Sequence, residues 1–482
     1  MRNTKIVCTM GPACNNKEIL LKMIDAGMNV VRFNMSHGNY EDTKKLMDTV
    51  KEAIKESGKY VELLLDTKGP EVRIGTFPDG SIELKKGQEF SFVKEQNKGD
   101  EKCVSISFPK LVELFYSEGQ TAIGREILLD DGKLSMQVKE ITSDTIICTV
   151  IKGGKLSDRK SINIPNYTIN MPYVSQRDRE DIEFGLRNGA HVVAASFVRS
   201  YEDVKTLRDY IDSIGYEYVE IISKIENQSG VDDIDRILEV SDGIMVARGD
   251  MGVEIPFIKL PEIQKTLIRK AVASGKFVIT ATQMLESMTT SPRPTRAEIS
   301  DVANAVYDGT SAVMLSGESA MGQYPVESVR ALNDICEEAE SNSETAILEK
   351  YIMQNLLNGA SDSSFRENIC LATKTIAQKI GAKAIIVESA TGRVARSMAH
   401  FRPQCPIIAV VTSELVAKKL CLTWGVTAVL GEEKTTSDAI TKQAMEKALS
   451  TKIVQKGDIV IVLSSNKITP TSGTDTLSIR IL

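Results

Sequence analysis

The chain reads as an α/β protein: a (β/α)8 barrel interrupted by an inserted all-β domain and followed by a separate α/β sheet domain. Three observations predict this. Eight short apolar runs, at 4–9, 28–33, 61–65, 191–197, 219–223, 243–247, 276–281 and 311–315, are separated mostly by segments with helix spacing, such as Ile19, Leu20, Met23, Ile24 and Val302, Ala305, Val306. From about Pro70 to Met171 the pattern changes to short alternating strands broken by turns at Pro78-Asp79-Gly80-Ser81, Asp130-Asp131-Gly132-Lys133 and Lys152-Gly153-Gly154-Lys155. After the polar passages Ser341-Asn342-Ser343 and 358–364, apolar runs at 383–387, 406–411, 426–430, 458–463 and 477–481 alternate with helices again.

The eight runs are continuous rather than alternating, as expected of parallel strands buried on both faces. The predicted boundaries are 1–69 and 172–341 for the barrel, 70–171 for the inserted β-barrel domain, and 342–482 for the C-terminal α/β domain. Pro70 and Pro172 stiffen the two attachments of the insertion. Thr295 and Glu298 form a capping box at a helix start, which accounts for both residues structurally.

A chain of 482 residues is too long for one core. Its 42% hydrophobic and 26% charged residues are those of a folded globular protein. The net charge of −6 is spread along the chain with no basic block, so nucleic acid is not an expected partner. No apolar run approaches the ~20 residues of a membrane helix. The apolar stretch that opens the chain is too short for a signal peptide, so no membrane association and a cytoplasmic location are expected. Eight cysteines without a CxxC pair read as reduced, mostly core thiols. Three histidines, at 37, 191 and 400, argue against a multi-histidine zinc centre or a histidine relay, and His191 reads as structural.

The chemistry concentrates at strand ends. Ile221-Ile222-Ser223-Lys224-Ile225-Glu226 and Ile244-Met245-Val246-Ala247-Arg248-Gly249-Asp250 carry one ammonium and two carboxylates where parallel α/β architectures place their sites. Gly249 and Gly252 let backbone approach a ligand. Glu226 and Asp250 could instead be helix caps. Their position outside adjacent hydrophobic strands, with Lys224 between them, favours a site. Two carboxylates completed by substrate oxygens and water suit Mg²⁺ (or Mn²⁺).

These segments, together with Val30-Val31-Arg32-Phe33-Asn34-Met35-Ser36-His37-Gly38, Leu65-Asp66-Thr67-Lys68-Gly69-Pro70-Glu71-Val72-Arg73, 281–288, 292–298 and Leu315-Ser316-Gly317-Glu318, resemble pyruvate kinases, and the match runs in order through all three predicted domains. The resemblance implies phosphoryl transfer from phosphoenolpyruvate to ADP, giving pyruvate and ATP. It implies that Arg32 and Arg73 grip the phosphoryl group, that Lys224 follows charge onto the developing enolate, and that Glu226 and Asp250 hold Mg²⁺ beside substrate bound at Gly249. A second metal carried by the nucleotide is implied as well. Thr282 is placed on the proton path to the enolate carbon, with Ser316 and Glu318 near it. Asn34, Ser36, Asp66 and Thr67 match the family's K⁺ site, and the glutamate at 71 goes with K⁺ dependence. Asn34, His37, Arg73 and Lys160 match nucleotide contacts. The insertion becomes a hinged lid that excludes water. Ser389, Thr391, Gly392 and Arg393 resemble an effector loop for a sugar phosphate or nucleotide, or else form an ordinary helix start with Thr391 as the cap. A homotetramer is also implied. The rival expectation is a Mg²⁺-dependent lyase or aldolase acting on pyruvate-like enolates, which gives no reason for a lid.

Overall fold

The computed structural model describes residues 2–36, 38–95, 98–165, 167–341, 352, 364–434, 436–464 and 476–482. Eight parallel strands close a barrel: β1 (Lys5–Thr9), β2 (Val30–Asn34), β3 (Glu62–Asp66), β4 (Val192–Ala195), β5 (Glu220–Ile225), β6 (Gly243–Ala247), β7 (Phe277–Ala281) and β8 (Ala312–Leu315). Each strand pairs with its neighbours in chain order, and β1 closes against β8. Successive residues take opposite faces: Val7 joins Leu64, Ile222 and Met245 inside the ring, while Ile6 and Cys8 pack outward under the helices. Both faces are therefore covered, and each fully buried aliphatic side chain contributes roughly 1.5–3 kcal/mol, which is why the strands are spelled as unbroken apolar runs.

The helices begin and end on local chemistry. In Lys17–Ala26, for example, the Asn16 side chain accepts from the Ile19 amide, and Gly27 terminates the helix at φ 119°. The predicted capping box is present, with Thr295 and Glu298 each accepting from the other's amide.

Strand β4 stops at Ala195, two residues short of the predicted run. Phe197 turns into the left-handed region at φ 55°, which frees Ser196 and Phe197 from the sheet.

The insertion is built on a seven-stranded sheet spanning Val72 to Asn163. An isolated bridge between Ile74 and Ile106 ties its two edges together, so the sheet curls back on itself. It is not purely β as expected. A helix, Lys110–Glu118, buries Leu111, Val112 and Phe115 in the insertion's own core.

The C-terminal sheet has the order Val426–Leu430, Ile407–Val411, Ala384–Glu388, Ile459–Ser464, Thr476–Ile481, with only the last pair antiparallel. Most of the polar join expected before it lies outside the described residues. The C-terminal sheet domain packs under the strand starts of the barrel: Lys5 Nζ donates to Val426 O at 2.7 Å, and Arg402 Nη2 donates to Gly309 O at 2.8 Å. The strand ends are left facing the insertion.

Candidate active site

Strand register assembles the site. Arg32 lies beside Thr9, Asn34 beside Asp66, Asp66 beside Ala194, and Ala195 beside Ser223, so Arg32, Asp66, Ser196 and Lys224 emerge at the same mouth of the ring. Arg32 Nε donates to Asp66 Oδ2 at 2.6 Å and its Nη1 to Thr9 Oγ1 at 2.8 Å. Lys224 Nζ donates to Asp66 Oδ1 at 3.0 Å and to Ser196 Oγ at 2.7 Å, and lies 3.0 Å from Glu226 Oε1. Glu226 Oε2 accepts from the Phe197 amide at 2.6 Å, so the turn that ends β4 orients this carboxyl.

Arg32 and Lys224 are each 8% exposed and Glu226 is fully buried, so these charges act in a medium that screens them weakly. Burial would raise the Asp66 carboxyl, but Arg32 and Lys224 together hold it below its ordinary range. The Lys224 ammonium loses solvation, yet Asp66 and Glu226 keep it charged above its ordinary value. Glu226 is pushed up to about 8 by burial first, which Lys224 opposes and the Asp250 and Asp66 carboxylates reinforce. Two cations serve three carboxylates here. The floor of the site is short of one positive charge.

Asp250 lies in the first turn of the helix Arg248–Glu254. With Arg32, Asn34, Ser36, Lys224 and Glu226 it lines a cavity of about 270 Å³ whose opposite wall is Arg73, Asp130, Asp131 and Lys160. Arg73 Nε is 2.7 Å from Glu71 Oε2, and its Nη1 donates to Arg159 O at 3.1 Å. Lys160 Nζ is 2.7 Å from Asp130 Oδ1. The insertion thus presents cations across the cavity from the strand ends. A larger space of about 990 Å³ shares Arg32 and Asn34 and extends past Gly11, Pro12 and Ser316.

Glu226 does not cap the helix after β5. Asn227 does, accepting from Gly230 N at 2.8 Å. Thr67 is buried, and its Oγ1 accepts from Ser196 N at 3.2 Å. Thr282 sits one strand over, outside the residues lining the charged cavity. Its Oγ1 accepts from Gly249 N at 2.8 Å and donates to Ala281 O at 2.6 Å. At φ 69° this β-branched residue is strained, and Arg248 clamps it by donating to Thr282 O at 2.7 Å while pairing with Asp301. Glu318 is buried with its oxygens taken by the Leu285 and Ser316 amides, so it holds backbone. His37 lies outside the described residues. In the C-terminal loop, Gly392, at φ 78°, occupies the N-cap position in place of Thr391, whose Oγ1 accepts from Arg393 Nε at 3.3 Å, while Ser389 is buried.

Sequence reasoning missed Ser196, Asp130, Asp131 and the clamp of Arg248. Ser196 lies inside an apolar run, and the acidic pair spells a turn, so neither stands out in the sequence.

Among the described residues no three His, Cys, Asp or Glu side chains form a metal-binding cluster. A cation at Glu226 and Asp250 would need oxygens from substrate and water. Glu226 Oε1 is buried and, among the described residues, meets only the Lys224 ammonium, at 3.0 Å and without hydrogen-bond geometry, so a cation ligated there would share this oxygen with Lys224.

The description "Pyruvate kinase, barrel domain" matches residues 1–329, and "Pyruvate kinase, alpha/beta domain" matches residues 367–480. The chain belongs to the pyruvate kinase family. A pyruvate kinase of Clostridium acetobutylicum is 43% identical, with both chains covered in full. One from Sporosarcina psychrophila is 42% identical over all of this chain and 81% of its own. A crystal structure of a pyruvate kinase from Cryptosporidium parvum superposes with a TM-score of 0.92 at 38% identity, covering 100% of this chain and 96% of the other. Pyruvate kinases are phosphotransferases, and the closed barrel with a separate α/β domain is the architecture both family descriptions name. Among the described residues no helix is long and apolar enough to cross a membrane.

Proposed function

We propose that the barrel mouth transfers the phosphoryl group of phosphoenolpyruvate to ADP, yielding pyruvate and ATP, with Lys224 as the cation that accompanies the migrating charge. The observation that carries this is the buried ammonium of Lys224, held by Asp66 and Ser196 within 3.0 Å of Glu226, in a cavity that Arg32 and Arg73 also line. Phosphoryl transfer asks little covalent chemistry of protein; it asks for alignment and for charge placed where charge develops. Arg32 is fixed in advance by Thr9 and Asp66, so its guanidinium spends little entropy when it meets phosphate. Arg73 and Lys160, carried by the insertion, approach from the opposite wall and exclude water from the transfer.

Glu226 and Asp250 would hold Mg²⁺ or Mn²⁺, and their place on the lining of one cavity, with Glu226 Oε1 engaged only by Lys224 among the described residues, supports this assignment. When bound there, the divalent ion neutralises oxygens of the substrate. Asn34, Ser36, Asp66 and Thr67 would hold K⁺ with oxygen donors alone. The larger space beside Arg32 and Asn34 suits the nucleotide, which His37, Arg73 and Lys160 would contact. Thr282, tied to Gly249, would orient the water that protonates the enolate carbon. Ser389, Thr391, Gly392 and Arg393 would bind an anionic effector, and the working assembly would be a homotetramer in the cytoplasm. Initial rates of pyruvate formation from phosphoenolpyruvate and ADP, with and without Mg²⁺ and K⁺, test the core of this assignment. No pyruvate above a protein-free control would overturn it.

A further inference from the structure

We infer that a second anion site, for a small phosphate-bearing metabolite, lies between the strand starts of the barrel and the C-terminal domain, built on Lys276, Arg396, His400 and Arg402. These residues line a cavity of about 410 Å³, within the range of small-molecule sites. Arg366 and Arg393 line it too, and Asp242 is its one acidic lining residue. One oxygen of that carboxylate, Oδ2, accepts from Arg208 Nη2 at 3.0 Å and from the Ile221 amide at 2.8 Å, so its charge is shared between Arg208 and the cavity's Lys276.

The cations are only partly answered by protein. Arg402 is 7% exposed; its Nη2 donates to Gly309 O and its guanidinium stacks on Trp424 at 4.5 Å, yet its Nε makes no hydrogen bond among the described residues. Arg396 pairs with Glu220, and its Nε is likewise buried without a partner. His400 is bonded to the Val272 backbone, and its Nε2 is left unanswered. Lys276 donates to Ser241 O at 2.7 Å. Carbonyl partners satisfy geometry without cancelling charge, so the cavity keeps a positive potential. Burial, then Arg402, push the His400 imidazole down to about 4, and burial lowers the Lys276 ammonium, opposed by Asp242 and reinforced by Arg396. A doubly charged phosphate monoester answers such a set better than water, because it offers several acceptors and cancels charge.

This cavity is distinct from the loop at Ser389 and Thr391, which does not line it; Arg393 alone is common to both. A ligand here would bridge two domains, with Lys276 contributed by the barrel and Arg396 by the helix that the loop opens.

The test is calorimetric titration of the full-length protein with inorganic phosphate and with pyrophosphate at constant ionic strength. Lys276→Gln should weaken binding about tenfold or more, as loss of one charge-assisted contact implies, and His400→Gln should weaken it because the bound anion draws a proton onto the otherwise neutral imidazole. Both should leave turnover at saturating substrate unchanged, and Thr391→Ala should leave the binding intact. Saturable binding that survives Lys276→Gln and His400→Gln but is lost in Thr391→Ala assigns the anion to the loop and overturns the proposal. So does the absence of saturable binding by either probe.

Discussion

Replacing Lys224 by Met removes the centre of the site while nearly keeping its shape. The side chain holds Asp66 at 3.0 Å, Ser196 at 2.7 Å and Glu226 at 3.0 Å, all in a buried setting. Without it Asp66 keeps Arg32 and the Ser196 hydroxyl, but Glu226 keeps only the Phe197 amide and faces two other carboxylates. Breaking a buried ion pair from one side costs about 3–5 kcal/mol. In a chain of this size much of that is avoided if Glu226 stays protonated, so a loss at the lower end is expected. The catalytic cost is separate. Losing one preorganised charge at a developing oxyanion lowers turnover by roughly 10²–10³, and more where a cation faces a phosphoryl group. We expect kcat for pyruvate formation to fall by about 10³ or more in a coupled assay. Mg²⁺ binding measured by calorimetry should be no weaker than in the parent, because the paired carboxylates remain and a competing cation has gone. A folded Lys224→Met protein retaining kcat within about tenfold would refute the role of Lys224. Loss of Mg²⁺ binding would refute the assignment of Glu226 and Asp250.

Three other outcomes follow from named contacts. Glu71→Lys places an ammonium beside the cavity where Glu71 now pairs with Arg73; the ratio of rates with and without K⁺ should fall toward unity, and an unchanged ratio would count against the K⁺ site. Arg248→Lys replaces a fork that holds the strained Thr282 carbonyl and Asp301 together; kcat should drop about 10–100-fold with the KM for phosphoenolpyruvate little altered, and a fall in melting temperature without a fall in kcat would reduce Arg248 to a structural residue. Glu388 is pushed up to about 7 by burial. A carboxyl raised in the folded state gives its full stability below the unfolded value and loses it as pH rises toward the folded one, so the loss falls between about pH 4.5 and 7. Glu388→Gln should therefore stabilise the protein at pH 8 by about 1–2 kcal/mol after allowance for partial solvent screening, with no gain at pH 4, as read from melting temperatures; equal gains at both pH values would contradict this.

What was legible in the sequence divides along one physical line. Strands buried on both faces are written as unbroken apolar runs, so all eight barrel strands could be placed within two residues of their bounds. The nine-residue helix at Lys110–Glu118 buries only three side chains, too short a pattern to stand out from strand-rich surroundings. Ser196 and Phe197 depended on a left-handed turn that no residue type announces. Lys160 and Asp130 join the site only through docking of the insertion, a contact without local spelling.

Closure of a parallel barrel sorts polar residues by their place on a strand. Those at strand ends meet at one mouth whatever their separation along the chain, which is why Asp66 reaches Lys224 across 158 positions. Those at strand starts meet at the other: Lys5 donates to Val426 O, Glu62 pairs with His191, and Glu220 lies between Arg396 and Lys419. A charge at a strand end has substrate to answer it, whereas a charge at a strand start must be answered by protein. Covering that lower face with a domain that presents Arg396 and Lys419 answers Glu220, and it sets Arg366, Arg393, Arg396 and Arg402 beside Lys276 in a cavity whose described lining has one carboxylate, Asp242. The anion cavity at Lys276 and Arg402 is thus a consequence of how the second domain satisfies the first.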